Sequence, residues 1–189
     1  MLQTGDLLFF RGDTSSAIDR MIMEFTGSVY THVAMVIKDP RWMSTKELFC
    51  IQSNSSTQTA VEQGDQQSGV VITPVSEMRK YDLRRLTTTR DEAFYDRLAT
   101  AHAKVHNMPY DFSLLDWART GLYSIGLRSF ATPRHTNNFW CSALVAFMYR
   151  EMALLNDTLD WSNQTPGSLA LIDIVLPNIL SPMIVLHEE

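Results

Sequence analysis

The sequence predicts one α+β domain, because strand patterns fill most of its first half and helical patterns dominate its second half. A chain of 189 residues is within the usual size of a single domain. Its hydrophobic fraction of 45% is enough to build one core at this length. We therefore expect residues 1–189 to form a single domain.

Short apolar runs bounded by turn residues predict four strands. They cover residues 7–10, 32–37, 48–53 and 70–75. Pro74 lacks a backbone N–H, which predicts that the fourth strand lies at a sheet edge or ends there. Residues 52–68 are rich in Ser, Gln, Thr, Asn and Gly and predict a long polar loop. A weaker apolar pattern at 183–186 predicts a last strand.

Apolar residues at helical spacing predict four helices. They cover residues 17–25, 91–106, 112–127 and 138–155. The Thr-Ser-Ser run at 14–16 offers N-caps for the first of them, and Gly27 is expected to end it. Gly121 and Gly126 weaken the third pattern.

The charge of the chain argues against nucleic acid as its partner. The formal net charge is -5 and the sequence pI is near 5.5, whereas binding to phosphates needs a basic face. One basic cluster stands out, and we interpret it as a solvated surface segment. Its members are Arg79, Lys80, Arg84 and Arg85.

The two cysteines, Cys50 and Cys141, are too few for a disulfide framework. The N-terminal apolar run at 7–10 is too short for a signal peptide, and no stretch reaches the ~20 apolar residues of a membrane span. These features predict a soluble, cytoplasmic protein in a reducing compartment, where a free thiol persists.

Cys141 is the candidate nucleophile. Asn137 and Asn138 are good N-cap residues, which places Cys141 in or just before the first turn of the last predicted helix. The free N–H groups and partial positive charge of a helix N-terminus lower the pKa of a thiol and can hold an oxyanion. The alternative is a small core residue, because Val145 and Met148 share its helical face.

His32 is the candidate base. It shares one face of an apolar strand with Ala34 and Val36, where an imidazole is unusual. It could take a proton from a thiol, or it could be a buried histidine with a structural hydrogen bond. The other histidines fit less well: His102 and His106 on the polar part of a helix, His135 in a loop and His187 in the tail.

A catalytic imidazole needs a third group that fixes its orientation, and Gln52 is the candidate. It ends the strand after that of His32, so the two side chains meet if the strands pair. Ser53 and Asn54 remain alternatives, because a register shift of one residue exchanges the faces. Cys50 shares the face of Gln52 but lies in mid-strand, and we expect it in the core.

The sequence gives no pattern for a metal or a cofactor. His102 and His106 are four residues apart, but the glutamate of a zinc-protease helix is missing between them. No glycine-rich loop matches a phosphate-binding or dinucleotide-binding pattern. We therefore expect a reaction without a metal or cofactor.

Five segments, in this order, resemble motifs of the permuted NlpC-like papain-fold superfamily, specifically the YiiX/YaeF-like amidases and their viral relatives. They are 5–9 (GDLLF), 31–36 (THVAMV), 108–112 (MPYDF), 139–145 (FWCSALV) and 165–169 (TPGSL). Ala34 stands where the family usually has Gly, and Ala143 where Glu is common. The resemblance runs from residue 5 to about residue 170, with the histidine before the cysteine as in that family.

The resemblance implies a circularly permuted papain-like fold, in which an antiparallel sheet or barrel packs against helices. It also implies a cysteine hydrolase of the amidase or thiol-protease kind, with Cys141 as nucleophile and His32 as base. Bacterial members often have Glu at the position that matches Gln52. A neutral amide there stabilises an imidazolium–thiolate pair less than a carboxylate does.

Two other functions remain open. One is a lipid hydrolase or acyltransferase like the lecithin retinol acyltransferase relatives of the same superfamily, in which residues 114–127 line an acyl groove or contact a membrane surface. The other is an inert binding or structural module on the same fold. The expected partner is thus a peptide, amide or lipid acyl substrate. If the chain is viral, the protein itself is expected in a virion or in the host cytoplasm.

Overall fold

The strands form one antiparallel sheet. In the computed structural model, which describes residues 1–54, 61–62, 69–109, 140–171 and 179–186, we number them in chain order. They are β1 (Leu7–Arg11), β2 (Tyr30–Lys38), β3 (Leu48–Asn54), β4 (Gly69–Pro74) and β5 (Tyr81–Arg84). The strand order within these residues is β4-β3-β2-β1-β5. The α+β class and the first four predicted strands are confirmed, and β4, which ends at Pro74, is an edge strand as predicted.

Three of the α-helices in the described residues were predicted from the sequence, and a short fourth one was not. They are α1 (Ala17–Thr26), α2 (Glu92–Val105), α3 (Cys141–Glu151) and the short α4 (Pro166–Ala170). Ser16 caps α1 by accepting from the backbone N–H of Asp19, and Gly27 ends it with a φ of 60°, which glycine adopts without strain. The helix predicted at 138–155 is shorter than expected, and the one predicted at 112–127 lies outside the described residues.

The interpretation of the basic cluster as a solvated segment holds for the exposed Arg79 and Lys80 but is wrong for Arg84. Arg84 lies in β5, is almost completely buried and donates from its guanidinium to the carbonyl oxygens of Ser181 (2.8 Å) and Ala170 (2.9 Å). β5 escaped prediction because two of its four residues, Asp82 and Arg84, are charged, and each finds its partners elsewhere in the fold. Arginine tolerates such burial when its fixed donors meet acceptors.

The prediction of a last strand at 183–186 is also wrong. Ile184 forms an isolated antiparallel bridge with Leu83, and Leu180 forms another with Leu86. The two hydrogen bonds between Leu83 and Ile184 are 2.8 and 2.9 Å long. The segment therefore covers the β5 edge of the sheet without extending it as a full strand.

The main core lies between one face of the sheet and the helices α2 and α3. Phe9, Met35 and Ile51 point to this side and pack in one buried cluster with Leu98 of α2 and Leu144 of α3. The burial of large apolar side chains here supplies the main stabilisation of the domain. No helix in the described ranges is both long and apolar enough to cross a membrane.

The opposite face of the sheet carries a smaller apolar cluster, into which Leu8, Ala34 and Cys50 project. Since side chains alternate along a strand, His32 and Gln52 point to this same face. Cys50 is fully buried there, so its prediction as a core residue is confirmed. The candidate imidazole and amide thus lie at the end of this second cluster.

Candidate active site

The candidate site forms where β2 and β3 stop pairing. The ladder between them joins Met35–Lys38 to Leu48–Ile51. His32 precedes this ladder on β2, and Gln52 follows it on β3, where the strand continues its pairing with β4 instead. Near His32, the backbone N–H and C=O groups of β2 on the side of β3 therefore make no ladder with that strand. They can form hydrogen bonds with a helix instead.

The two polar side chains meet across this end of the ladder. The His32 Nε2 atom and the Gln52 Oε1 atom are 2.7 Å apart, and because a carbonyl oxygen can only accept, the ring nitrogen donates. The amide nitrogen of Gln52 donates in turn to Thr73 Oγ1 at 3.2 Å. Gln52 is 1% exposed, so this chain of hydrogen bonds holds both its amide and the imidazole in place.

Ser53 and Asn54, the alternatives to Gln52, are placed differently. Ser53 pairs with Val70 and is completely buried, and alternation along β3 turns its side chain to the other face of the sheet. Asn54 is the last residue of β3 and lies opposite Gly69. The structure therefore brings Gln52 to the His32 ring.

Cys141 is the first residue of α3. The N-cap is Trp140, whose side chain makes no capping hydrogen bond, so the helix starts later than the predicted caps Asn137 and Asn138, which lie outside the described residues. The start of α3 is fixed instead by the carbonyl oxygen of Gln164. It accepts from Trp140 Nε1 at 3.2 Å and from Ser142 Oγ at 2.8 Å.

The thiol of Cys141 lies against the backbone of β2 beyond the end of the β2–β3 ladder. Its Sγ atom is 4.0 Å from the carbonyl oxygen of Thr31, and backbone N–H groups of Val33 and Ser142 act on it. Cys141 is 4% exposed and belongs to the main core cluster, as the core alternative predicts. Its position at the first turn of a helix, beside an imidazole, is what the nucleophile hypothesis predicts.

The pKa values of the thiol and the imidazole move toward each other. Burial alone would raise the pKa of Cys141, but the charge of His32 and a hydrogen bond with its ring, together with the two backbone N–H groups, lower it. Burial alone would lower the pKa of His32, but the charge of Cys141 and hydrogen bonds with Cys141 and Gln52 raise it. Both shifts favour a thiolate next to an imidazolium.

Cys50 provides an internal contrast. No charged partner offsets its desolvation, and burial raises the pKa of the Cys50 thiol well above its usual range. The same residue type is therefore expected to be unreactive in β3 and reactive at the start of α3.

A cleft of about 780 Å³ is lined by residues that neighbour the candidate site, although Cys141, His32 and Gln52 are not among them. Tyr30, two residues before His32, lines it, and so does Gln164, whose carbonyl binds both neighbours of Cys141. Val29 and Leu171 form an apolar part of its wall and are 55% and 66% exposed. Sequence reasoning did not find this cleft, although the motif at 165–169 contributes to it.

One sequence prediction about the histidines is wrong: His102, which was placed on the polar part of a helix, is buried in α2. Glu62, His102 and His106 also come together in a way that the sequence did not indicate, and each brings a possible ligand atom within 4.8 Å of the others. Glu62 is forty residues before His102, so spacing within the helix could not reveal it.

The described residues thus define an α+β domain in which a thiol at a helix N-terminus lies beside an imidazole held by an amide. No protein-family model and no curated protein sequence matches the chain. Among solved structures, it is similar to the metalloprotein YiiX from Escherichia coli O157:H7, with a TM-score of 0.51 and 20% sequence identity. The match covers 97% of this chain and 88% of that one. The predicted likeness to YiiX-like proteins is therefore supported for the fold.

Proposed function

We propose that the protein is a cysteine hydrolase of the amidase or peptidase kind, built on the circularly permuted papain-like fold of the NlpC-like superfamily. Cys141 is the nucleophile, His32 the base and Gln52 the positioning residue. The observation that supports this proposal best is geometric: the thiol at the first turn of α3 lies beside the His32 ring, and Gln52 holds that ring through Nε2 at 2.7 Å. A structural role for either residue would not require such a pair.

The reaction begins with the thiolate of Cys141. Since Nε2 of His32 donates to Gln52, the other ring nitrogen, Nδ1, is the one that exchanges a proton with the thiol. The thiolate attacks the carbonyl carbon of an amide, and a carbon–sulfur bond forms while the carbonyl oxygen takes the negative charge. The N–H groups at the start of α3 are placed to stabilise that oxyanion.

Collapse of this intermediate releases the amine. The carbon–nitrogen bond breaks, the imidazolium of His32 gives its proton to the leaving nitrogen, and the acyl group stays on Cys141. Water then attacks the acyl-enzyme, giving one proton to His32. The carbon–sulfur bond breaks, the carboxylic acid leaves, and the thiol is restored.

The proposal is tested by alkylation with iodoacetamide at mildly acidic pH, followed by mass spectrometry of both cysteines. We expect Cys141 to be modified well before Cys50, because a lowered pKa leaves a reactive fraction of thiolate. His32→Gln should slow the modification of Cys141 at pH 6 by about tenfold or more, since an adjacent opposite charge shifts a pKa by about 1–3 units. Cys50→Ala is the matched control and should leave the rate at Cys141 unchanged.

Equal, slow labelling of the two cysteines would support the inert module instead. An activity on acyl substrates that survives in Cys141→Ala would end the enzymatic proposal. In the wild-type chain, incubation with an activated acyl ester should add one acyl group, recovered on the peptide that contains Cys141.

A lipid hydrolase or acyltransferase is the second candidate, favoured by the exposed apolar side chains Val29 and Leu171 on the cleft wall. Such a rim suits an acyl chain and a peripheral contact with a membrane surface. Competition of acyl labelling by short peptides or by phospholipid vesicles decides between the two substrates. Protection by phospholipids alone would replace the amidase with the lipid enzyme.

A further inference from the structure

A second constellation of chemically active side chains lies at the end of α2, away from Cys141. His102 and His106 are one helical turn apart, so their rings project from the same face of the helix. Glu62, from the connection between β3 and β4, reaches this face. Its Oε2 atom is 2.9 Å from His102 Nε2 and 3.3 Å from His106 Nδ1.

The spacing of these atoms suits a transition-metal ion. Zinc binds imidazole nitrogen and carboxylate oxygen at about 2.0–2.2 Å in a tetrahedron, so its ligand atoms are about 3.3 Å apart. The three ligand atoms here lie within 4.8 Å of one another, and two of the separations are already 2.9 and 3.3 Å. Small changes of side-chain torsion would therefore centre the three atoms on one ion.

The surroundings hold these side chains in place. The ring of Trp42 stacks on His102 with the ring centres 4.1 Å apart and the planes only 9° from parallel. Asn107 Nδ2 is 3.0 Å from His106 Nε2, the nitrogen that points away from Glu62. The His102 side chain is 7% exposed, whereas that of His106 is 30% exposed, so the cluster is fixed on one side and open to solvent on the other.

We propose that Glu62, His102 and His106 form a zinc site, with a water molecule in the fourth position. Each imidazole stays neutral on binding: the nitrogen that faces Glu62 gives up its proton to solvent while the other ring nitrogen takes one. In His106 the new proton is on Nε2, which then donates a hydrogen bond to the side chain of Asn107. The Asn107 amide must turn so that its oxygen, not its nitrogen, faces the ring. Two imidazoles and one carboxylate select zinc over the harder magnesium and calcium ions.

The site joins two parts of the chain that are distant in sequence. The Val61 N–H donates to the Ile72 carbonyl oxygen of β4 at 3.1 Å, and the Val70 N–H donates to the Met108 carbonyl oxygen just after α2 at 2.9 Å. A metal on Glu62 would therefore fix the connection between β3 and β4 to the end of α2. Gln52, which holds the His32 ring, lies on β3 just before this connection. The zinc proposal is nevertheless independent of the proposed hydrolase activity.

The test is calorimetric titration of ZnCl₂ into chelator-treated protein carrying Cys141→Ala, which removes the thiol as a competing zinc ligand. We expect one zinc ion per chain and a rise of several degrees in the melting temperature. Glu62→Gln and His106→Gln, two partly exposed positions, should each weaken zinc binding by at least tenfold. Lys104→Gln, on the same helix, is the matched control and should bind as tightly as its parent.

Two further readouts locate the ion. Zinc should slow hydrogen exchange of the Val61 amide in the parent but not in His106→Gln. Cobalt(II) bound to the chain with Cys141 intact should give visible bands without the sulfur-to-cobalt charge-transfer band of a thiolate ligand. Binding that is equal in parent and His106→Gln, or that requires Cys141, would overturn the proposal.

Discussion

At the scale of the residue, environment shifts the pKa values of the two cysteines in opposite directions. Cys50 and Cys141 are both buried, yet burial raises the pKa of Cys50 while the charge of His32 lowers that of Cys141. The difference comes from one neighbouring ring and from backbone N–H groups, not from exposure. An imidazole within reach is therefore the feature that distinguishes the proposed nucleophile Cys141 from the core thiol Cys50.

Gln52 sets how strongly the imidazolium is favoured. Its carbonyl oxygen accepts from His32 Nε2 but carries no charge. In a Cys141→Ala background, where the thiolate no longer acts on the ring, Gln52→Glu should raise the pKa of His32 by about 1–3 units. The measurement is the titration of the His32 ring proton by NMR.

Gln52→Ala gives the opposite sign in the same background. Loss of the acceptor leaves desolvation, which lowers the pKa of His32, less opposed. If all three proteins titrate at the same pH, Gln52 does not act on the ring and its assigned role is wrong.

At the scale of the element, Asp82 of β5 ties three segments together. Its buried carboxylate accepts from Arg11 Nε of β1 (3.0 Å), Tyr30 Oη of β2 (2.9 Å) and the Leu186 backbone N–H (3.1 Å). Burial alone would raise the pKa of Asp82, but the bonds from Tyr30 and Arg11 outweigh it and lower the pKa. The carboxylate thus stabilises the fold in its ionised form.

Asp82→Asn should therefore destabilise the domain by about 1–3 kcal/mol at neutral pH, since three donors lose a charged acceptor. A lowered pKa in the folded state means that the stabilisation is present above the unfolded value near 3.9 and lost as pH falls through the lowered folded value. Urea unfolding of both proteins at pH 7 and pH 3 measures this. A difference between the two proteins that is as large at pH 3 as at pH 7 would contradict the assignment.

The elements also show what could be predicted from the sequence. Strands β1 to β4 carry long apolar runs, and the expected pairing of β2 with β3 made Gln52 the candidate partner of His32. The register that excludes Ser53 and Asn54 came only from the structure. β5 was missed because its charged side chains find their partners far along the chain: Asp82 pairs with Arg11, and Arg84 donates to the carbonyl oxygen of Ser181. The group of Glu62, His102 and His106 was missed for the same reason. Glu62 is forty residues from His102 in the sequence, and a contact at that separation leaves no periodic pattern.

At the scale of the whole molecule, the candidate site depends on contacts between distant parts of the chain. Cys141 and Thr31 are 110 residues apart, and the start of α3 is held by Gln164. The thiol is on α3, and the imidazole and amide are on the sheet. The site therefore forms only when α3 packs on the sheet. Loss of the global fold must therefore abolish the special reactivity of Cys141.

The two cysteines allow this to be measured in one experiment. Across a urea titration, low-pH alkylation of Cys141 should fall in the same transition in which Cys50 becomes accessible to a neutral-pH thiol reagent. Cys50 is the probe of global unfolding, because β3 pairs on both sides of it, with Val36 and Thr73. Labelling of Cys50 at much lower urea than the loss of circular dichroism would show that the sheet opens locally instead.

The bridge between Leu83 and Ile184 has a consequence for self-association. A sheet with a bare outer strand offers unpaired backbone donors and acceptors to a neighbouring copy, and such a strand starts the growth of intermolecular sheets. Here the last described residues occupy those groups on β5, within hydrogen bonds of 2.8 and 2.9 Å. A chain that is truncated before Leu180 would leave the β5 edge unpaired. We expect such a variant to aggregate at a lower protein concentration than the full chain.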